Sequence, residues 1–222
     1  MSLARPTLGA EVEVALRATL EESRGLGFLG PGPVEAHIAH ALDFACLLPT
    51  TSARALDLGS GGGVPGLVLL AALPDIEMVL LDANQRRTQF LDRCLARFGW
   101  EHRAEVVTAR AEEAAHRPGL RHGIDVVLSR SFASPAATAE CGAPFLRLGG
   151  RLVVSEPPDQ VERWPAEGLA RLGLRSELLG EVVLERRFAV MVSVALCEER
   201  YPRRVGVPAK RPLFGPSVPQ ET

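Results

Sequence analysis

The chain has 222 residues, 46% of them hydrophobic and 23% charged, with a net charge of −2. That is the balance of a globular protein with a sizeable core, long enough for one domain with an extension. The apolar stretches near residues 67–73 and 188–197 are too short to span a bilayer, and the first residues lack an apolar signal core, so a cytoplasmic protein away from the membrane is expected.

Four cysteines, Cys46, Cys94, Cys141 and Cys197, contain no C-x-x-C pair, which argues against zinc and against a disulfide scaffold. Buried free thiols are the expectation. Of the 25 basic residues, 24 are arginine and Lys210 is the single lysine, so chemistry that needs a lysine has almost no candidate. Charge is uneven along the chain. Residues 200–222 carry a net +4 through Arg200, Arg203, Arg204, Lys210 and Arg211 against Glu221, which leaves −6 on the remainder. A basic tail on an acidic body points to a polyanion contact at one edge.

In chain order, residues 11–23 and 34–48 have the period of amphipathic helices, separated by a glycine- and proline-rich loop over 25–33. From residue 54 onward short apolar runs alternate with helical periods. Strands are predicted at 54–58, 78–81, 105–108, 125–129, 150–155, 178–185 and 188–196, and helices near 66–73, 85–98, 135–146 and 159–171. Strands spaced by helices imply an α/β fold with a parallel sheet covered on both faces. The last two runs, joined through Arg186 and Arg187, are expected to form an antiparallel terminal hairpin. Residues 1–199 then form one domain with an N-terminal helical extension over about 1–50, and 200–222 form a basic, proline-rich tail.

The most informative segment is Asp57-Leu58-Gly59-Ser60-Gly61-Gly62-Gly63-Val64-Pro65-Gly66, a glycine-packed turn between a strand and a helix. Glycines let backbone approach a ligand where a Cβ would collide. A second acid, Asp82, closes the next strand, where it can accept from a ribose hydroxyl pair. Together these outline an S-adenosylmethionine (SAM) pocket in which Asp57 faces the methionine amino group and helix-terminal N–H groups face the ligand. Gly61-x-Gly63-x-x-Gly66 is also a literal dinucleotide fingerprint, and some glycine-rich turns bind nothing. The early start of the turn at Asp57-x-Gly59 and the position of Pro65 favour SAM.

In an open parallel sheet, ligands sit beyond the carboxyl ends of the strands. After the third strand, Ala111 and Glu112 are placed to flank an adenine, or simply to open a helix with acids. After the fourth, Arg130 follows the apolar run Val126-Val127-Leu128, a costly position unless it meets an anion or a carbonyl; a salt bridge to Asp57 or Glu156 is the structural alternative. The pattern His37-x-x-His40-x-x-Asp43 reads as packing or capping rather than a metal site, because three ligands at that spacing splay apart. Trp100 and Trp164 are expected in the core.

The order of these pieces resembles the bacterial 16S rRNA guanine-N7 methyltransferase family, known as RsmG or GidB. The matching segments are His40-Ala41-Leu42-Asp43, Leu56 to Gly66, Leu81-Asp82 with Arg86-Arg87 and Phe90-Leu91, Arg110-Ala111-Glu112-Glu113, Ser129 to Ser134, Leu148 to Arg151, and the tail Tyr201-Pro202-Arg203-Arg204-x-Gly206-x-Pro208-x-Lys210-Arg211-Pro212-Leu213. The resemblance covers roughly residues 35–213. It implies the class I SAM-dependent methyltransferase fold, Rossmann-like with a seven-stranded sheet ending in an antiparallel hairpin, plus N-terminal helices. It also implies SAM as cofactor and small-subunit 16S rRNA as partner. Cofactor contacts fall by resemblance on Gly59, Val64, Ala111, Glu112 and Arg130 beside Asp82, with Asp57, Ser60, Gly61 and Gly63 in the same turn. Arg130 also orients the guanine, and Arg203, Arg204, Lys210 and Arg211 are the expected RNA contacts. No metal is implied.

Two segments depart from the family pattern. Gly25-Leu26-Gly27-Phe28-Leu29-Gly30-Pro31 stands where the family has an Asn-Leu-Thr signature, and Val154-Ser155-Glu156-Pro157-Pro158 stands where it has an Ala-Leu-Lys-Gly-like turn. A relative acting on another RNA or a small molecule, or a SAM-binding protein without turnover, would carry the same cofactor motifs.

Overall fold

A computed structural model describes residues 5–48, 53–157, 163–177 and 187–215. Among the described residues, seven strands form one mostly parallel sheet. The chain divides into two compact units, residues 1–111 and 112–222.

The first unit opens with α1 (Ala10–Gly25) and α2 (Val34–Ala45), close to their expected limits. Leu16 and Leu20 of α1 are fully buried, as are Ala41 and Phe44 of α2, so the apolar stripes read in the sequence face a core. Parallel strands β1 (Arg54–Leu58), β2 (Glu77–Asp82) and β3 (Ala104–Thr108) follow, paired β1–β2 and β2–β3. Met78 to Leu81 are buried on both faces of the sheet, the environment that a continuous apolar run requires. Between these strands lie α3 (Gly66–Ala72) and α4 (Gln85–Phe98). The Asn84 side chain caps α4 by accepting from the Arg86 and Arg87 N–H groups, and Gly99 ends it in the left-handed conformation at φ 66°.

The second unit is built on β4 (Ile124–Ser129) and β5 (Leu146–Glu156), which pair in parallel. Helix α5 (Ala111–Ala114) precedes β4, and α6 (Pro135–Gly142) with a 3-10 turn at Ala143–Phe145 lies between the strands. After α7 (Ala166–Ala170) the chain forms β6 (Leu174–Ser176) and β7 (Arg187–Ser193), and β7 runs antiparallel to both β5 and β6. The reversed terminal hairpin is therefore present, with different limits. Its first described strand is β6, which the sequence reading missed because three residues around Arg175 carry no alternation. The strand expected at 178–185 lies outside the described residues. Arg187, expected in the turn, opens β7. The helix expected over 159–171 is described from Ala166, and residues 159–162 of it fall outside the described residues.

The described part of the tail, residues 200–215, is not a free extension. Tyr201 is buried, and the short helix α8 (Val207–Lys210) follows Gly206. Arg121 donates to the carbonyls of Cys197 (3.1 Å), Glu198 (3.0 Å) and Tyr201 (2.9 Å), so one guanidinium fixes the start of the tail. Among the described residues no helix is long and apolar enough to cross a membrane.

Candidate functional site

The glycine turn leaves β1 at Leu58 and is held by its own polar groups. Gly59, Gly61 and Gly63 take φ values of 77°, 53° and 93°, a path that other residues rarely adopt. Leu81 O accepts from the N–H groups of Gly59 and Ser60, both at 2.9 Å, and Ser60 O accepts from Gly63 N–H at 2.8 Å. The Asp57 carboxylate is buried and takes the Gly66 N–H at 2.9 Å, at the start of α3. A Cβ on Gly66 would lie 2.7 Å from the same Asp57 oxygen. The sequence reading turned Asp57 toward a ligand and helix-terminal N–H groups outward. In the structure Asp57 Oδ2 engages the Gly66 N–H, the first donor of α3, and so satisfies an otherwise orphaned group.

The N-terminal loop seals the back of this turn. Ser23 Oγ donates to Gly62 O at 3.0 Å, and a Cβ on Gly62 would meet Phe28 O at 2.9 Å. Phe28 packs edge-on against Phe90 at 5.9 Å, with the Arg86 guanidinium 5.7 Å from its ring. The segment 25–31 that departs from the family pattern is thus a structural plug on the glycine turn.

Asp82 lies at the carboxyl end of β2, 7% exposed. Its Oδ2 accepts from Gly61 N–H at 2.9 Å and its Oδ1 from Asn84 N–H at 2.8 Å, with Arg87 Nη1 3.6 Å away. Two backbone bonds fix the carboxylate, and since a carboxylate offers about four acceptor sites, each oxygen retains capacity for a ribose hydroxyl. Most of the backbone donors of the turn are engaged internally. The N–H groups of Gly59, Ser60, Gly61, Gly63 and Gly66 all donate within the protein, whereas a pyrophosphate needs such donors pointing outward. SAM has no phosphate. Rigid ribose acceptors beside a turn whose N–H groups are largely engaged fit SAM.

In the second unit, Glu112 Oε1 accepts from Gly206 N–H at 2.9 Å, a tie between α5 and the tail. Ala111, described with the first unit, is buried. Arg130 is half-buried directly after β4, next to Ser131 at a φ of 56°. Glu156, one of its two suggested acidic partners, pairs with Arg163 at 3.2 Å. Arg203 holds the fully buried Glu140 of α6 in a fork, Nε to Oε1 at 2.8 Å and Nη2 to Oε2 at 2.6 Å, while its own N–H donates to Oε1 at 2.9 Å. That geometry engages Arg203 in packing the tail rather than presenting it to RNA. Arg204, Lys210 and Arg211 are exposed.

A cavity of about 310 Å³ opens beyond the carboxyl ends of β4 and β5, lined by Ser129, Phe132, Thr138, Glu156, Arg163 and Trp164 among others. Trp164 was expected in the core and instead walls this cavity, whereas Trp100 stacks on Phe98 at 4.3 Å. His37, His40 and Asp43 go to separate contacts: His37 Nε2 lies 3.2 Å from Gly30 O, His40 stacks on Phe44, and Asp43 bonds Arg5 at 2.6 Å.

The family of rRNA small subunit methyltransferase G matches residues 33–162. A curated protein of that name from Prochlorococcus marinus is 33% identical over 175 residues, covering 74% of this chain and 69% of its own. Another from Roseiflexus castenholzii is 35% identical over 190 residues, covering 82% and 80%. The chain belongs to the rRNA small subunit methyltransferase G family. Among solved structures, a SAM-dependent methyltransferase from Aquifex aeolicus superposes with a TM-score of 0.54 at 13% identity, covering 79% of this chain and 98% of that one, which places the fold. The methyltransferase G match takes in the glycine turn, Asp82, Ala111, Glu112 and Arg130. It stops before Arg203, Arg204, Lys210 and Arg211. The chain is a SAM-dependent methyltransferase of the Rossmann-like type.

Proposed function

We propose that this chain methylates N7 of a guanine in 16S rRNA of the small ribosomal subunit, acting in the cytoplasm. Family membership supports the reaction, and the observation in the molecule that carries it is Asp82, locked by Gly61 and Asn84 at the carboxyl end of β2. When bound, SAM supplies the methyl group on its sulfonium. Guanine N7 carries its own lone pair and is unprotonated at neutral pH, so the protein needs no general base. Its task is to position the base and exclude water.

In this reading Asp82 holds the ribose, the glycine turn lets the ligand lie against backbone, and Ala111 and Glu112 border the adenine, Glu112 through its remaining acceptor capacity. Arg130 borders the reacting groups at the end of β4. Arg204, Lys210 and Arg211 form an exposed basic strip for phosphates. Residues 1–199 serve as one methyltransferase domain on which the tail is anchored. A base must leave its stack to be reached, which favours a single-stranded loop as target.

The test is methyl transfer from radiolabelled SAM to naked rRNA, intact small subunits and small acceptors, with complementation of a strain lacking the family enzyme read by N7-methylguanine mapping. Transfer confined to small acceptors, or restored growth without the N7 mark, refutes the reading.

A further inference from the structure

Two acids of the second unit hold the described part of the tail. Glu140 of α6 takes the Arg203 guanidinium, and Glu112 of α5 accepts from the Gly206 N–H, Oε1 at 2.9 Å. Around Gly206 the chain closes on itself. Arg204 O accepts from Val207 N–H at 2.9 Å, Gly206 O from Lys210 N–H at 3.1 Å, and Arg211 O from Arg203 Nη2 at 2.7 Å. Gly206 takes a φ of 78°. A Cβ there would meet nothing within 4 Å, so the position needs glycine for the path of the backbone and not for room. What that path secures is the direction of one N–H.

The acceptor has little else to fix it. Helix α5 is a single turn of 4 residues, too short to keep its shape in water without tertiary contacts. Glu112 is half-buried on it, with rotamer freedom that a bound ligand would have to freeze. Among the described residues, the donor that meets its carboxylate is the Gly206 N–H. A carboxylate has about four acceptor sites, so a bond at Oε1 restrains the side chain and leaves capacity for a donor on a ligand. The exocyclic amino group of adenine is such a donor.

We infer that Gly206 is a positioning residue for the cofactor: its N–H pre-orients Glu112 toward the adenine, which makes the tail part of the SAM site as well as a carrier of cations. The inference rests on the reading that Glu112 borders the adenine, and extends it to a residue 94 positions away. It also gives the glycine of Arg203-Arg204-x-Gly206-x-Pro208 a chemical reason. Pre-orientation raises affinity by removing an ordering cost before the ligand arrives. The ligand in turn steadies the Gly206 bond, because coupling between two sites is reciprocal.

Calorimetry of S-adenosylhomocysteine on the full chain tests it. Gly206→Val, costly at positive φ for a β-branched side chain, weakens binding about fivefold to tenfold. Gly206→Asn, which tolerates that conformation, stays within about twofold of the unaltered protein. Glu112→Ala weakens binding about tenfold or more. In the Glu112→Ala background Gly206→Val changes affinity by less than about twofold, because both substitutions remove the same interaction. A change that merely loosened the tail would add to the Glu112→Ala loss instead. Amide hydrogen exchange supplies a readout that needs no tail variant. S-adenosylhomocysteine slows exchange at Gly206 several-fold in the unaltered protein and leaves it unchanged in Glu112→Ala. Exchange at Gly206 that ignores the ligand overturns the inference, as do additive losses in the double variant or full affinity in Gly206→Val. If Glu112→Ala itself binds S-adenosylhomocysteine normally, the placing of Glu112 at the adenine falls too. If Glu112→Ala is weak while the Gly206 results fail, that placing stands and only the positioning role of the tail is lost.

Discussion

At the residue scale the cofactor half of the site turns on Asp82. Its two oxygens hold Gly61 and Asn84 in place, so the acid shapes the turn as well as offering acceptors. Asp82→Ala is expected to lower SAM affinity by roughly 1–3 kcal/mol, the range for a hydrogen bond to a charged group. It should also lower the melting temperature of the ligand-free protein, because two backbone donors lose their acceptor. Calorimetry reads the first effect and thermal unfolding the second; unchanged SAM affinity would remove Asp82 from the pocket. Arg130 is tested by Arg130→Ala, which should reduce SAM affinity or turnover while the fold persists. Arg130→Lys should rescue poorly, since an ammonium lacks the planar fork of donors. A variant that simply unfolds would assign Arg130 to structure.

At the element scale the tail and α6 are joined by one ion pair. Glu140 is 0% exposed and Arg203 meets both of its oxygens. The same fork of carboxylate oxygens keeps the Arg203 guanidinium above its usual range. Arg203→Ala leaves a buried carboxylate with only a backbone donor. The expected loss is about 2–4 kcal/mol, below the full value for a buried pair because the guanidinium is partly solvated. Denaturant unfolding measures it, and Glu140→Gln in the Arg203→Ala background should recover part of it. The exposed cations behave differently. Charge removal at Arg204, Lys210 or Arg211 should leave stability nearly untouched and lower the salt slope of single-stranded RNA binding by roughly 0.7 each. An unchanged slope in the triple variant would take the tail out of RNA contact. Helix α4 supplies a smaller check: Asn84→Ala removes its N-cap and should cost about 1 kcal/mol.

At the scale of the whole molecule the thiols set an alkaline limit. Burial pushes Cys94 and Cys197 up to about 12, and it also raises Cys46. The folded state therefore keeps protons that an unfolded thiol releases near 8.5. The stabilisation is complete below that value and is lost progressively as pH rises toward about 12. The chain has one lysine and one tyrosine, so few other groups titrate in this window. The urea midpoint should hold to about pH 8 and then fall through pH 11, and Cys94→Ala with Cys197→Ala should flatten that fall. A midpoint independent of pH over this range would contradict the burial of these thiols.

The sequence by itself determined the alternation of strands and helices, the glycine turn and the acid at the end of β2. Each depends on short-range patterns: apolar runs such as Val79-Leu80-Leu81 have a period set by the backbone, and a turn that needs positive φ demands glycine at fixed places. It also carried enough of the family's ordered motifs to indicate the fold and the cofactor. Partnership was decided only by the tertiary structure. No local pattern tells that Asp57 caps α3, that Arg203 reaches Glu140 across 63 positions, or that Trp164 leaves the core to wall a cavity with Ser129 and Glu156. Charge and apolarity are properties of a residue, whereas being paired, buried or orphaned is a property of what the fold brings beside it. The strand β6 was missed for the same reason, since three residues become a strand when β7 offers them a ladder.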